Sequence, residues 1–141
     1  MLDHDGRISR NEFAEMAGQQ QGKGETILLV EDEVAVRDAT TKSLEKLGYR
    51  VLVAKDGVGA TEIANNAGEI DLLLSDVVLP GGMNGIDISH LIRKKLPNLK
   101  YLFMSGYNSF PDLELPEGAE IISKPVEISK LAAKVRQTLD G

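Results

Sequence analysis

The chain has no cysteine and no tryptophan in its 141 residues, and aromatics make up only 4% of it. Without cysteine there is no disulfide framework, no thiolate nucleophile and no zinc–thiolate site. With so few aromatics, the core has to be built from Leu, Ile, Val and Ala. Positive charge is also in short supply: 16 Lys and Arg stand against 22 Asp and Glu, a net charge of -6. That sign argues against direct binding of nucleic acid or of an anionic membrane, both of which reward a basic face. No apolar run approaches the roughly 18 residues that span a bilayer. The opening residues, MLDHDGRISR, lack the apolar stretch of a signal peptide. These absences lead to the expectation of a cytoplasmic protein.

What is present is ordinary for a globular chain: 42% hydrophobic and 27% charged residues, at a length that suits one domain with a real core. Residues 17–25, AGQQQGKGE, are rich in Gly and Gln and have no apolar period, which marks a linker. The expected division is a flexible segment over 1–24 and a folded domain over 25–141.

Beyond the linker the pattern alternates. TILLV (26–30), VLVA (51–54), DLLLSD (71–76), YLFMS (101–105) and a short AEII (119–122) read as strands, the longer runs as strands buried on both faces. Between them lie helical stretches. Residues 34–47 end at Gly48, where a helix C-terminal glycine belongs. Ala60, Ile63, Ala64 and Ala67 share one helix face, as do Ile88, Leu91 and Ile92 before Leu96-Pro97, and Ile128, Leu131, Ala132, Val135 and Leu139 at the end. Strand–helix alternation predicts βαβ units, right-handed crossovers and a doubly wound parallel sheet in a three-layer α/β/α sandwich. The stretch 106–118, with Pro111 and Pro116, leaves room for a shortened helix of one or two turns.

In such a sheet, ligands bind beyond the carboxyl ends of the strands. The predicted strands deliver Glu31 and Asp32, Asp76, Ser105 and Lys124 there. Clustered carboxylates disfavour full ionisation unless a cation joins them. Oxygen ligands without His or Cys point to Mg²⁺ or Mn²⁺. Asp32 and Asp76 are the expected direct ligands, with Glu31 acting through a bound water and the backbone carbonyl of Val78 as a further donor. A carboxylate can also attack phosphorus, giving an aspartyl phosphate. Asp76 is central and followed by an accessible loop, Lys124 can neutralise phosphoryl charge, and the Ser105 hydroxyl can bond a phosphoryl oxygen. Singly, each of these residues has a bland reading as a helix cap, a turn or a surface lysine. Their convergence on one rim is what carries the argument. His90, and the run Arg93, Lys94 and Lys95, read as solvated helix positions.

LLVEDE, then LLLSDVVLPGGMNG with Pro80 four residues after Asp76, then MSG and SKP, resemble the receiver domains of two-component response regulators over roughly residues 25–140. The wording is most like receivers attached to hybrid sensor histidine kinases. The resemblance implies a flavodoxin-like fold with strand order 2-1-3-4-5 and a cis Pro after Lys124. It also implies transfer of a phosphoryl group from a histidine kinase or histidine phosphotransfer protein to Asp76, with slow self-dephosphorylation. Such a protein is a self-modifying switch, not a conventional turnover enzyme. Family members often carry an aromatic where Ile121 stands, so the usual coupling of hydroxyl to aromatic is not expected here. The alternative reading is a docking module that keeps the fold without being phosphorylated. Oligomeric state stays open.

DHDGRISRNEF (3–13) places Asp3, Asp5, Gly6, Ile8 and Glu12 at the spacing of an EF-hand calcium loop, but the first loop position is Met1 and no partner loop follows. Asp3, Asp5 and Glu12 are therefore a weak calcium candidate. With the linker, this broken loop suggests a fragment of a longer chain, such as a hybrid histidine kinase.

Overall fold

The fold is given by a computed structural model, which describes residues 22–106 and 115–141. β1 (Thr26–Val30) is buried at every position, as its unbroken apolar run requires. β2 (Arg50–Ala54), β3 (Leu72–Asp76), β4 (Lys100–Ser105) and β5 (Ile121–Ser123) complete the sheet. All pairings are parallel and the order is β2-β1-β3-β4-β5. α1 (Val34–Lys46), α2 (Gly57–Asn66), α3 (Gly85–Lys95) and α4 (Ile128–Asp140) are the helices among the described residues. This is the flavodoxin-like three-layer arrangement.

Alternation along each strand divides the core in two. Leu28, Val30, Leu73 and Phe103 face α2 and α3, against Ala60, Ala64, Ile88 and Ile92. Ile27, Leu29, Leu72, Leu74, Leu102 and Met104 face α1 and α4, against Leu44, Leu47, Leu131 and Val135. Gly48 has φ +100 just past α1, a conformation that an L side chain resists.

The structure moves some sequence-based boundaries. β5 begins at Ile121, not Ala119, because the parallel ladder starts at Phe103↔Ile121 and the Glu120 carbonyl accepts from the Phe103 N–H. Hydrogen-bond register, not the apolar run, sets its ends. On α3, Leu91 is exposed while Ser89 is fully buried and donates to the Ile86 carbonyl at 2.6 Å. A small hydroxyl fits close against the sheet where Leu91 does not. Val53 is exposed because β2 is an edge strand. The shortened helix expected between the fourth and fifth strands falls mostly on 107–114, and the EF-hand-like loop on 3–12; both lie outside the described residues.

Candidate functional site

Parallel strands place all their carboxyl ends on one rim. Glu31 directly follows β1, Asp76 ends β3, Ser105 ends β4 and Lys124 directly follows β5. Every strand-end residue picked out in the sequence therefore arrives at the same edge. Glu31 is fully buried, its N–H donating to the Ala54 carbonyl at 3.0 Å. The Lys124 ammonium donates to Glu31 Oε1 at 2.8 Å and Oε2 at 3.1 Å. It also lies 2.7 Å from Asp76 Oδ1. One ammonium thus bridges two carboxylates.

That bridge is uneven. Lys124 meets both Glu31 oxygens, while it meets Asp76 only at Oδ1, a buried oxygen with no other partner among the described residues. The close contact to Asp76 is an ion pair. Burial pushes the Asp76 carboxyl above its ordinary value, and the neighbouring Lys124 charge offsets this only in part. Ser105 is buried, and its carbonyl accepts the Lys124 N–H at 2.8 Å just before the cis Lys124–Pro125 bond. Val78 sits two residues past β3, in the loop above Asp76.

Asp32 is exposed at the mouth. Glu31, Asp32 and Asp76 each present a carboxylate oxygen within 4.8 Å of the others. Three hard oxygen donors around one point, with a buried Asp76 oxygen that has no partner but Lys124 among the described residues, fit a divalent cation of the Mg²⁺ or Mn²⁺ kind.

Other residues contribute that strand-end reasoning missed. The fully buried Ser75 hydroxyl donates to the Asp76 carbonyl at 2.9 Å. Gly85, at the start of α3, donates its N–H to the Val77 carbonyl at 2.8 Å and packs so closely that a Cβ would overlap the Asp76 carbonyl oxygen. The Arg37 guanidinium reaches back from α1 to the Glu31 carbonyl at 2.9 Å. The clue to Arg37 and Gly85 was position, in the first turns of helices that follow strand ends; Ser75 lies inside β3 and offered none.

Comparison with known proteins agrees with this geometry. Residues 27–136 match the response regulator receiver domain family. The chain belongs to that family. This receiver domain is 40% identical over 120 residues to the sensor kinase CckA of Brucella abortus, covering 82% of the present chain and 12% of the kinase. A crystal structure of the receiver domain from the hybrid histidine kinase CckA superposes with a TM-score of 0.70 at 42% identity, covering 81% of this chain and 98% of that one. The receiver protein CpdR of Brucella abortus is 34% identical over 80% of this chain and 95% of its own length. The response regulator TrrA of Thermotoga maritima, solved in complex with Mg²⁺ and BeF, has a TM-score of 0.71 at 26% identity, over 81% of this chain and 98% of TrrA. The receiver thus spans about an eighth of the kinase it matches and nearly all of CpdR. Receiver domains work in two-component systems, with histidine kinases or phosphotransfer proteins, and bind Mg²⁺ at an acidic pocket of this kind. Among the described residues no helix is long and apolar enough to cross a membrane.

Proposed function

We propose that this receiver is a phosphoacceptor in a phosphorelay, with Asp76 as the residue modified. The observation that carries the reading is the buried Asp76 carboxylate, held against the Lys124 ammonium at 2.7 Å and grouped with Glu31 and Asp32. An Asp76 oxygen attacks the phosphorus of a phosphohistidine donor. The new P–O bond forms as the P–N bond breaks, and the bonding pair leaves with the imidazole, which takes up a proton. Attack by water on the acyl phosphate later returns the carboxylate and inorganic phosphate.

Asp32, Asp76 and the Val78 carbonyl would hold the divalent ion, with Glu31 behind them through a water. When bound, that ion supplies positive charge to the phosphoryl oxygens and to the crowded carboxylates. Lys124 adds a fixed positive charge beside the attacking oxygen. As charge accumulates on the phosphoryl group, its ammonium can leave Glu31 and bond a phosphoryl oxygen. Ser105, buried at the end of β4, is the hydroxyl assigned to another phosphoryl oxygen.

The test is incubation with Mg²⁺ and acetyl phosphate, read by intact mass and by peptide mapping. The expected result is one phosphoryl adduct on Asp76, lost completely in Asp76→Asn and when the metal is chelated. A wild-type protein that takes up neither phosphoryl nor beryllofluoride would instead support a docking module. Ile121, 38% exposed where many relatives carry an aromatic, is the feature that keeps this second reading in view.

A further inference from the structure

We infer that Arg37 is a positioning residue that sets the Asp32 carboxylate for cation binding; the inference rests on the functional reading above. Asp32 is the exposed member of the acidic trio and lies in the β1–α1 loop. That loop lacks the usual device for fixing a helix start. Glu33, the N-cap of α1, makes no side-chain cap hydrogen bond, and the first turn carries no acidic residue. Arg37 supplies the restraint from inside the helix. Its guanidinium donates to the Glu31 carbonyl at 2.9 Å, and its backbone N–H donates to the Glu33 carbonyl at 2.9 Å. The carbonyl that precedes Asp32 is thus held by the Arg37 side chain, and the Glu33 carbonyl that follows the loop is held by the first backbone bond of α1. Glu31 is thus tied to β2 through its N–H and to α1 through its carbonyl, so the residue just ahead of Asp32 is fixed from two elements.

Arg37 is also a cation placed beside a site for cations, and this gives its role a test by sign. If Arg37 acted only through charge, its removal would tighten metal binding, because a repulsive neighbour would be gone. If it acts by holding Asp32 in place, its removal weakens binding, by about 10-fold, the lower end of what outer-shell partners of metal ligands contribute. The two expectations have opposite directions, so the outcome does not depend on a small magnitude.

The experiment is calorimetric titration of the whole chain with Mn²⁺ for wild type, Arg37→Met and Arg37→Lys. Methionine keeps the helix propensity and much of the side-chain volume while removing donor and charge. The expected order is tight binding by wild type, about 10-fold weaker binding by Arg37→Met, and recovery to within about threefold of wild type by Arg37→Lys, which restores a donor that can reach the carbonyl. A second readout needs no metal: in the metal-free protein, backbone amide order parameters at Asp32 and Glu33 fall in Arg37→Met while those at Leu28 and Leu73 are unchanged. If Arg37→Met is too unstable to study, Arg37→Leu, which also lacks donor and charge, takes its place with the same expectation. Equal or tighter Mn²⁺ binding by the variant, no recovery with lysine, or unchanged order parameters at Asp32 and Glu33 would each overturn the inference. Absence of Mn²⁺ binding by wild type would instead overturn the functional reading on which it rests.

Discussion

The two ends of the sheet solve the problem of charge in opposite ways. At the amino edge, Arg136 of α4 donates to Glu25 at 2.6 Å, to Asp140 at 2.8 and 3.1 Å and to the Tyr49 hydroxyl at 3.4 Å. Glu25 and Asp140 thus share one guanidinium, and Asp71 accepts from the Thr26 N–H at 2.8 Å. Partial burial tends to raise the Glu25 carboxyl, but its bonds to Arg136 and to the Lys23 N–H bring it below the ordinary range; Arg136 likewise lowers Asp140. At the carboxyl rim, one ammonium serves two carboxylates and Asp76 is pushed the other way. The amino edge joins the entry segment, the α1–β2 turn and the C-terminal helix, and its acids are held by hydrogen bonds. The carboxyl rim is left short of cations, at a cost in stability that function commonly imposes. On the function proposed above, a site that takes up a divalent ion and a phosphoryl group would not be saturated in advance.

Three changes would sharpen or break this contrast. The largest effect is expected for Gly85→Ala. A methyl group there overlaps the Asp76 carbonyl oxygen and comes within 2.8 Å of the Ser75 hydroxyl, both on a fully packed strand. We expect a loss of about 3 kcal/mol or more, a fall in thermal midpoint on the order of 10 °C, and loss of phosphoryl uptake. A protein that keeps both stability and uptake would show that the rim has slack the structure does not suggest. Next, Arg136→Met leaves Glu25 without its guanidinium at a site where both side chains are largely covered. The expected destabilisation is about 1–2 kcal/mol by denaturant titration, with phosphoryl uptake per folded molecule unchanged. Reduced uptake would mean that the two ends are not independent.

The smallest effect is one of pH, and here the two ends should differ in sign. Glu25 is depressed from 4.5, so its contribution is present above that value and is lost as pH falls through its lower folded value. Asp76 is raised from 3.8, so its contribution favours folding below that value and is lost as pH climbs through its higher folded value. In metal-free buffer at neutral pH, Glu25→Gln should therefore be less stable than wild type and Asp76→Asn equally or more stable. Both differences should shrink as the pH is lowered below about 4. Urea midpoints measured across pH 3–7 would show it; an Asp76→Asn protein markedly less stable at neutral pH would refute the account of the rim.

How much of this could be read from the sequence depends on the kind of contact. β1, β3 and β4 were legible because strands buried on both faces leave unbroken apolar runs, and Glu31, Asp76 and Ser105 were legible because they stand where those runs stop. β5 was blurred because it pairs over only three residues and its ends are set by register with β4. Leu91 misled because helical spacing alone does not tell a large apolar side chain from the small Ser89 that the packing admits. Arg37, Ser75 and Gly85 act on backbone carbonyls, which leave no spacing signature in side-chain identity. The Arg136–Glu25 pair joins residues 111 apart, and nothing local in either segment announces the other.

The way the chain enters the domain has a consequence for how the receiver is reached. Gly22 and Gly24 donate to the Leu47 and Gly48 carbonyls, and a side chain at position 22 would run into the Tyr49 ring. The entering chain is therefore moored to the floor of the sheet, a strand length of roughly 17 Å below the acidic trio. A module tethered ahead of Gly22 starts from the pole opposite the chemistry. On the proposed function, a donor carried by such a module would have to come around the flank of the sandwich to reach Asp76.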